Sequence, residues 1–390
     1  MTDKSAITPA AGPMSRLAIW RARLILVLLA TVFSLALAEG VLRILAPGSP
    51  RSAGEERGYF CRFDPVLGWA PLPDITARHE RDGFSVLVHQ NGLGLRGPDD
   101  LGPARTPGRA RERVLVLGDS YAWGYGADQD SIFTAAAVHG ADLDALNSGV
   151  SGYGTDQAYL MYRRLRRTVD VDRVLLVFTP YNDIANNLAS RQYDYDKPFF
   201  TWEGDSLRLH TAHLGAAADW SAGQALVKSV RVLNLGASLV RRVDNGLKNR
   251  RARRVDTEPG KRALAPAPLS DEARRGVDLT VEIIDRLRRE VEADGASLEV
   301  AVVPYRPNVE AGLAGNHPFV RALADRLHAR GIVYLEPYGE FVAAGRRGPL
   351  FNLVDNHFNA RGHALFAERV LAGPGRKRSR DVYHAAAAVP

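Results

Sequence analysis

The chain has 390 residues, 46% hydrophobic and 24% charged, a globular composition long enough to bury a sizeable core. Its single cysteine, Cys61, excludes an internal disulfide and any cysteine-rich zinc site, and its ten histidines are too scattered to suggest a metal cluster. The net charge of +7 is concentrated. Eleven Lys or Arg lie between Lys228 and Arg262, opposed only by Asp244, Asp256 and Glu258, with no nucleic-acid motif beside them. That stretch reads first as a solvated helix and linker, and second as a contact for lipid headgroups or an anionic glycan.

Near the N-terminus, residues 24–38 (LILVLLATVFSLALA) carry no charge, and apolar residues extend the segment on both sides. With snorkelling arginines, residues 18–46 are long enough to cross a bilayer. Lys4, Arg16, Arg21 and Arg23 lie on the N-terminal side against only Asp3, which predicts a cytoplasmic N-terminus and an extracytoplasmic (periplasmic-side) body. An uncleaved anchor is expected. Ala36-Leu37-Ala38 also fits a signal-peptide cleavage site, which would leave the body in the same compartment.

Residues 47–57 are a polar linker, residues 58–100 hold turn signals and short apolar runs, and residues 101–111 are a Pro/Gly/Arg connector. From residue 113 the pattern alternates between strand and helix. Strands are expected at 114–117, 143–146, 174–178, 298–303 and 332–335. Helices are expected at 130–139, 156–167, from an N-cap at Ser270 to about Ala293, at 317–330 and at 359–372. Short apolar strands between helices predict a parallel sheet covered on both faces. Residues 190–265 break the rhythm with a hairpin (KPFFTWEGDSLRLH) followed by basic helical segments.

In such a sheet, functional groups gather beyond the carboxyl ends of the strands. Gly118-Asp119-Ser120-Tyr121 follows the first strand. Asn147 to Gly154 follows the second, Thr179-Pro180-Tyr181-Asn182-Asp183 the third, and Asp355-Asn356-His357 precedes the last helix. Together these supply an acyl-transfer site. Ser120 is a nucleophile that needs a base, His357 is that base, and Asp355 is a carboxylate to orient it. The backbone N–H groups of Ser120 and Gly152 and the side-chain amide of Asn182 are donors for an oxyanion. Singly each motif is an ordinary turn or cap; their joint placement at strand ends is what points to chemistry.

The blocks VLVLGDSYAWGYG, NSGVSGYGTDQ, VFTPYNDIANN and DNHFNARGHALFAERV, spread over 112–372, resemble the four blocks of the SGNH (GDSL) hydrolase family. The upstream NGLGLRGP resembles membrane-anchored bacterial members. The resemblance implies a flavodoxin-like three-layer α/β/α domain that hydrolyses or transfers ester-linked acyl groups, with no metal and no organic cofactor. Two departures stand out. The family's last block is usually D-x-x-H, but Val354 stands three before His357 and Asp355 two before it, a D-x-H spacing that resembles a subset acting on extracytoplasmic polysaccharides. In the third block, Pro180-Tyr181 replace the usual Gly before Asn-Asp, so Tyr181 is expected to shape the substrate pocket with Asp119, Tyr121 and Asp183. His363, inside the last helix, is the alternative base.

The expected organisation is a cytoplasmic N-terminus (1–17), a membrane anchor or signal segment (18–46), a linker and lead-in (47–111), one hydrolase domain (112–372) with an insertion at 190–265, and a disordered tail (373–390). The expected partners are an acyl-ester substrate, such as an acylated glycan or envelope polymer, and the membrane; nucleic acid is not expected. Alternatives are an O-acyltransferase with the same triad, a lipase or lysophospholipase, and a non-catalytic glycan-binding envelope protein.

Overall fold

The computed structural model describes residues 15–45, 59–81, 84–104, 111–135, 143–193, 195–214, 269–313, 318–353 and 355–371. The basic stretch 228–262, the helical segments expected after the hairpin, the first fourteen residues, the linker 47–57 and the tail 373–390 lie outside the described residues. The chain divides into two units, one containing the N-terminal helix and the other the α/β body.

Helix α1 runs from Arg16 to Leu45. Its stretch Ile19–Val41 has a mean hydropathy of 2.4, long and apolar enough to cross a membrane, a test that a signal sequence also passes. Apolar side chains are exposed along the helix, Leu26 and Phe33 each 69% exposed.

The lead-in is folded. Strand β1 (Cys61–Asp64) pairs antiparallel with β2 (Gly68–Pro71), and β3 (Ile75–Arg81) with β4 (Phe84–Gln90). Along β4 the buried positions Val86, Val88 and Gln90 alternate with more exposed ones, as a half-covered strand requires. Val86 and Val88 form one apolar cluster with Phe60 and with Trp123, which lies beyond the next strand in the same compact unit.

The α/β part of this unit begins with β5 (Glu112–Gly118) and the single-turn helix α2 (Ser120–Trp123). Then follow β6 (Leu143–Asn147), α3 (Thr155–Leu165), β7 (Arg173–Phe178) and α4 (Pro180–Asn187). The insertion supplies two small antiparallel pairs: β8 (Arg191–Gln192) with β9 (Tyr195–Asp196), and β10 (Phe199–Glu203) with β11 (Ser206–His210), the latter being the hairpin expected from the sequence. The chain continues through α5 (Asp271–Ala293), β12 (Ser297–Val302), α6 (Arg306–Glu310), α7 (Pro318–Ala329), β13 (Val333–Leu335), α8 (Tyr338–Gly345) and α9 (Ala360–Val370). Ser270 is the N-cap of α5, its side chain accepting from the Ala273 N–H at 3.2 Å.

The five central strands are parallel in the order β13-β12-β7-β5-β6. Numbered along the chain this is 2-1-3-4-5, the flavodoxin-like order, in which the crossover direction reverses between the first and third strands, β5 and β7. Helices α3, α5 and α7 pack together on one face. Right-handed crossovers put the β5-to-β6 connection on the other face, where α9 joins it through Phe366, 5.3 Å from Phe133. The sheet is thus covered on both sides, and β7 is buried at all six positions. Arg173, inside that strand, is tolerated because Glu112 and Glu299 each pair with it at 2.8 Å.

The helix expected over 130–139 is not continuous. Gln129–Ser131 form one 3-10 turn, and Ile132 is extended (φ −71°, ψ 151°), which breaks any run through it; residues 133–135 are helical as expected, and positions 136–139 lie outside the described residues. A second departure is α4. Thr179-Pro180 ends the strand as expected, but Pro180 also opens a helix, since a proline at the first helical position forfeits no intrahelical bond.

Candidate active site

The site forms where β5 and β7 end, on either side of the crossover reversal. Gly118 closes β5 with φ +145°, and a Cβ there would lie 2.6 Å from the Val177 carbonyl oxygen, so only glycine lets the chain turn across the end of β7. The turn delivers Asp119 and Ser120. Asp119 is the N-cap of α2, its Oδ1 accepting from the Tyr121 N–H at 2.9 Å. Ser120 is half-buried at the start of that helix.

The loop after β6 lies directly against this helix. The Val150 N–H donates to the Gly118 carbonyl at 3.1 Å. A Cβ on Gly149 would come within 2.5 Å of the Trp123 nitrogen, so the two backbones touch. Gly152 (φ +81°) is buried in the same loop. From the other side, α4 brings Asn182, whose Nδ2 donates to Asp119 Oδ2 at 3.2 Å and whose Oδ1 accepts from Asn186 at 3.2 Å. One of the two amide protons of Asn182 is therefore engaged by Asp119, the N-cap of α2.

The loop before α9 completes the assembly. His357 Nε2 lies 2.7 Å from Ser120 Oγ, across 237 positions of sequence. Asp355 Oδ1 lies 3.3 Å from His357 Nδ1 and accepts the His357 backbone N–H at 2.8 Å. Among the described residues, Nδ1 itself makes no aligned hydrogen bond. Burial pushes the Asp355 carboxyl up, but His357 and the Asn352 amide outweigh it and hold it below the ordinary range. Arg306, on α6, fixes this loop by donating to the carbonyls of Asn352 at 2.7 Å and Asp355 at 2.9 Å.

Tyrosines line the remainder. The Tyr181 hydroxyl donates to that of Tyr121 at 2.6 Å, which donates to the Asn356 carbonyl at 2.6 Å. The Tyr181 ring lies 4.1 Å from that of Tyr305. Burial raises the pKa values of both Tyr121 and Tyr181 well above the ordinary phenol value, so both remain neutral donors. Burial likewise raises the carboxyls of Asp119 and Asp183. Asp183 caps its own turn through the Thr179 N–H at 3.0 Å.

Apart from His363, the residues expected from the sequence lie on the segments that follow β5, β6 and β7 or precede α9. Ser120, His357 and Asp355 are in mutual reach, Asn182 and Asp119 are bonded to each other, and Tyr121 and Tyr181 are linked through their hydroxyls. His363 is elsewhere. It is buried, stacked on Phe133 with planes 3° apart, and burial lowers its pKa to about 3, so it stays neutral in the core.

No protein-family model matches the chain, and no curated protein matches it. Solved structures do. A member of the lipolytic protein G-D-S-L family from Veillonella parvula is 12% identical, covering 67% of this chain and 96% of that one, with a TM-score of 0.36. A psychrotrophic esterase, EstA, from a Pseudoalteromonas species is 11% identical, covering 67% and 94%, with a TM-score of 0.35. A carbohydrate esterase family 2 enzyme with a carbohydrate-binding domain, from Corynascus thermopiles (Myceliophthora fergusii), is 12% identical, covering 69% and 66%, with a TM-score of 0.36. At such identities and TM-scores the likeness is faint, and the chain's own residues carry the chemistry.

Three contributors escaped the sequence reading. Tyr125 stacks on the His357 ring with centroids 4.4 Å apart and planes at 27°. Arg96 donates to the carbonyls of Trp123, Gly124 and Ala127 around α2 and the turn after it. Tyr305-Arg306 follows β12, and applying the strand-end rule to that fourth strand would have found it.

Proposed function

We propose that the chain is a serine-dependent hydrolase of ester bonds. The observation that carries this reading is the 2.7 Å contact between Ser120 Oγ and His357 Nε2 at the end of a parallel sheet. A serine hydroxyl becomes a nucleophile when an imidazole takes its proton as it attacks. Ser120 Oγ would bond to the ester carbonyl carbon while its proton passes to His357 Nε2. Collapse of the tetrahedral intermediate would expel the alcohol, which leaves with that proton. Water, deprotonated in turn by His357, would release the acid and restore the serine. Asp355 is the carboxylate partner of the imidazolium. The N–H groups of Ser120 and Gly152, with the Asn182 amide proton not used by Asp119, face the developing oxyanion.

Within this reading, Tyr121 and Tyr181 form one wall of the substrate site and Asp119 and Asp183 brace it from beneath. The apolar α1 and the positive charges before it support an uncleaved anchor with the body outside the cytoplasm. The Asp-x-His spacing and the basic stretch support O-acyl groups of an extracytoplasmic glycan or envelope polymer as the substrate class. The test is hydrolysis of p-nitrophenyl acetate by the purified chain. Wild type should turn over, and Ser120→Ala should lose on the order of 10³-fold or more in kcat. Equal inertness of both proteins toward a panel of acyl esters would favour the binding-protein alternative.

A further inference from the structure

We propose that Tyr125 is a positioning residue for the catalytic base: the lead-in segment presses its ring onto the face of His357, supplying the orientation and charge stabilisation that the Asp355 contact leaves incomplete. This rests on the serine-hydrolase reading above.

A histidine that serves as general base is commonly oriented by a hydrogen bond on its second nitrogen. Here Nδ1 has a carboxylate oxygen at 3.3 Å but no aligned bond among the described residues. The ring is held between two aromatic faces instead, Tyr125 at 4.4 Å and Tyr121 at 4.8 Å, with planes inclined by 27° and 38°. Tyr121 is tied by its hydroxyl to the Asn356 carbonyl, one residue before His357.

Tyr125 is gripped from the lead-in. Phe84 and His79 of the β3–β4 hairpin meet its ring edge-on, at 5.4 Å and 4.8 Å. Arg96 is fully buried and donates to the Trp123 carbonyl at 2.9 Å, Gly124 at 2.7 Å and Ala127 at 2.6 Å, bracketing Tyr125 on both sides in the chain. The Tyr125 N–H in turn donates to the Ser120 carbonyl at 3.0 Å. One residue thus touches the nucleophile's backbone and the base's ring. It is the NGLGLRGP motif, otherwise without a task, that supplies the buried arginine holding it.

When His357 takes the serine proton it becomes a cation facing π-electrons, an attraction present in the charged transition state and weak in the neutral ground state. Removing the ring should therefore lower kcat and leave KM nearly unchanged. With p-nitrophenyl acetate, Tyr125→Leu should lose about five- to thirtyfold in kcat, the rate equivalent of a partly desolvated cation–π contact, with KM within about twofold. Tyr125→Phe keeps the face and should retain most of the activity.

A second measurement guards against a Tyr125→Leu protein that fails to fold. In wild type, the ring-carbon protons of His357, assigned by their loss in His357→Ala, should resonate upfield of the other histidines because of ring-current shielding. Wild-type kcat persisting in Tyr125→Leu, an equal loss in Tyr125→Phe, or unshielded His357 protons would each overturn the proposal while leaving the nucleophile assignment intact. A wild type inert toward the ester, with Ser120→Ala no different, would instead remove the underlying hydrolase reading and this one with it.

Discussion

His357 Nδ1 and Asp355 Oδ1 lie 3.3 Å apart, yet that oxygen takes its aligned hydrogen bond from the backbone N–H of His357 at 2.8 Å. Asp355 thus braces the loop as much as it faces the imidazole. In a triad with the carboxylate squarely on Nδ1, amidation costs about 10⁴-fold in kcat. Asp355→Asn should cost less here, about 10- to 100-fold, and clearly less than His357→Ala. Steady-state hydrolysis of p-nitrophenyl acetate by both variants checks the order. Equal losses would mean that the two side chains align fully during catalysis.

His363, on the helix that follows His357, is a structural histidine. It is buried and neutral, with its pKa lowered to about 3 from an ordinary 6.5. The unfolded chain therefore binds this proton below about pH 6.5 and the folded chain does not until about pH 3. Stability is full above the unfolded value and falls as pH drops through that window, by up to about 1.4 kcal/mol per pH unit for one proton. His363→Phe should flatten urea-unfolding stability between pH 6 and 4 while keeping most esterase activity at neutral pH. Loss of activity with an unchanged pH slope would mark His363, not His357, as the base.

Lys197 and Asp156 form a fully buried ion pair joining the insertion to the start of α3. The Lys197 ammonium also donates to the carbonyls of Asn186 at 3.0 Å and Pro198 at 2.9 Å, locking the end of α4, the helix that carries Asn182. Lys197→Met strands a carboxylate in the core and should cost about 3–5 kcal/mol. The double variant Lys197→Met/Asp156→Leu should recover part of that. Urea denaturation of the three proteins measures it, and a single variant as stable as wild type would refute the pair's role.

Membrane topology is tested by fusing alkaline phosphatase to the C-terminus. The charge bias around α1 predicts an active fusion, because the enzyme folds only outside the cytoplasm. An inactive phosphatase with an active cytoplasmic reporter at the same junction would reverse the orientation.

Much of the candidate site was legible in the sequence because it sits where strands stop. Ser120, Asn182 and His357 each follow or precede an apolar run that periodicity alone identifies, and β5, β6, β7, β12 and β13 all lie within a residue or two of their expected positions. What was not legible depends on contacts distant in sequence. The lead-in reads as turns and short runs, because the clustering of Phe60, Val86 and Val88 becomes visible only once Trp123 packs on them. Arg96 looks like one more surface arginine until three carbonyls are seen around it. Tyr125 sits five residues after Ser120 and declares nothing until His357 arrives from 232 positions away. The helix expected over 130–139 shows the reverse: an apolar pattern suited to a helix from 130, whose start is delayed to Phe133 because Ile132 turns extended to enter the core at 1% exposure.

The central claim is that Ser120 is activated by His357, and reaction with a fluorophosphonate tests it without knowledge of the natural substrate. Peptide mapping should find the adduct on Ser120 in wild type, no adduct at that position in Ser120→Ala, and labelling slowed by orders of magnitude in His357→Ala. A folded wild type that forms no adduct, or one whose labelling rate ignores the loss of His357, would contradict the account.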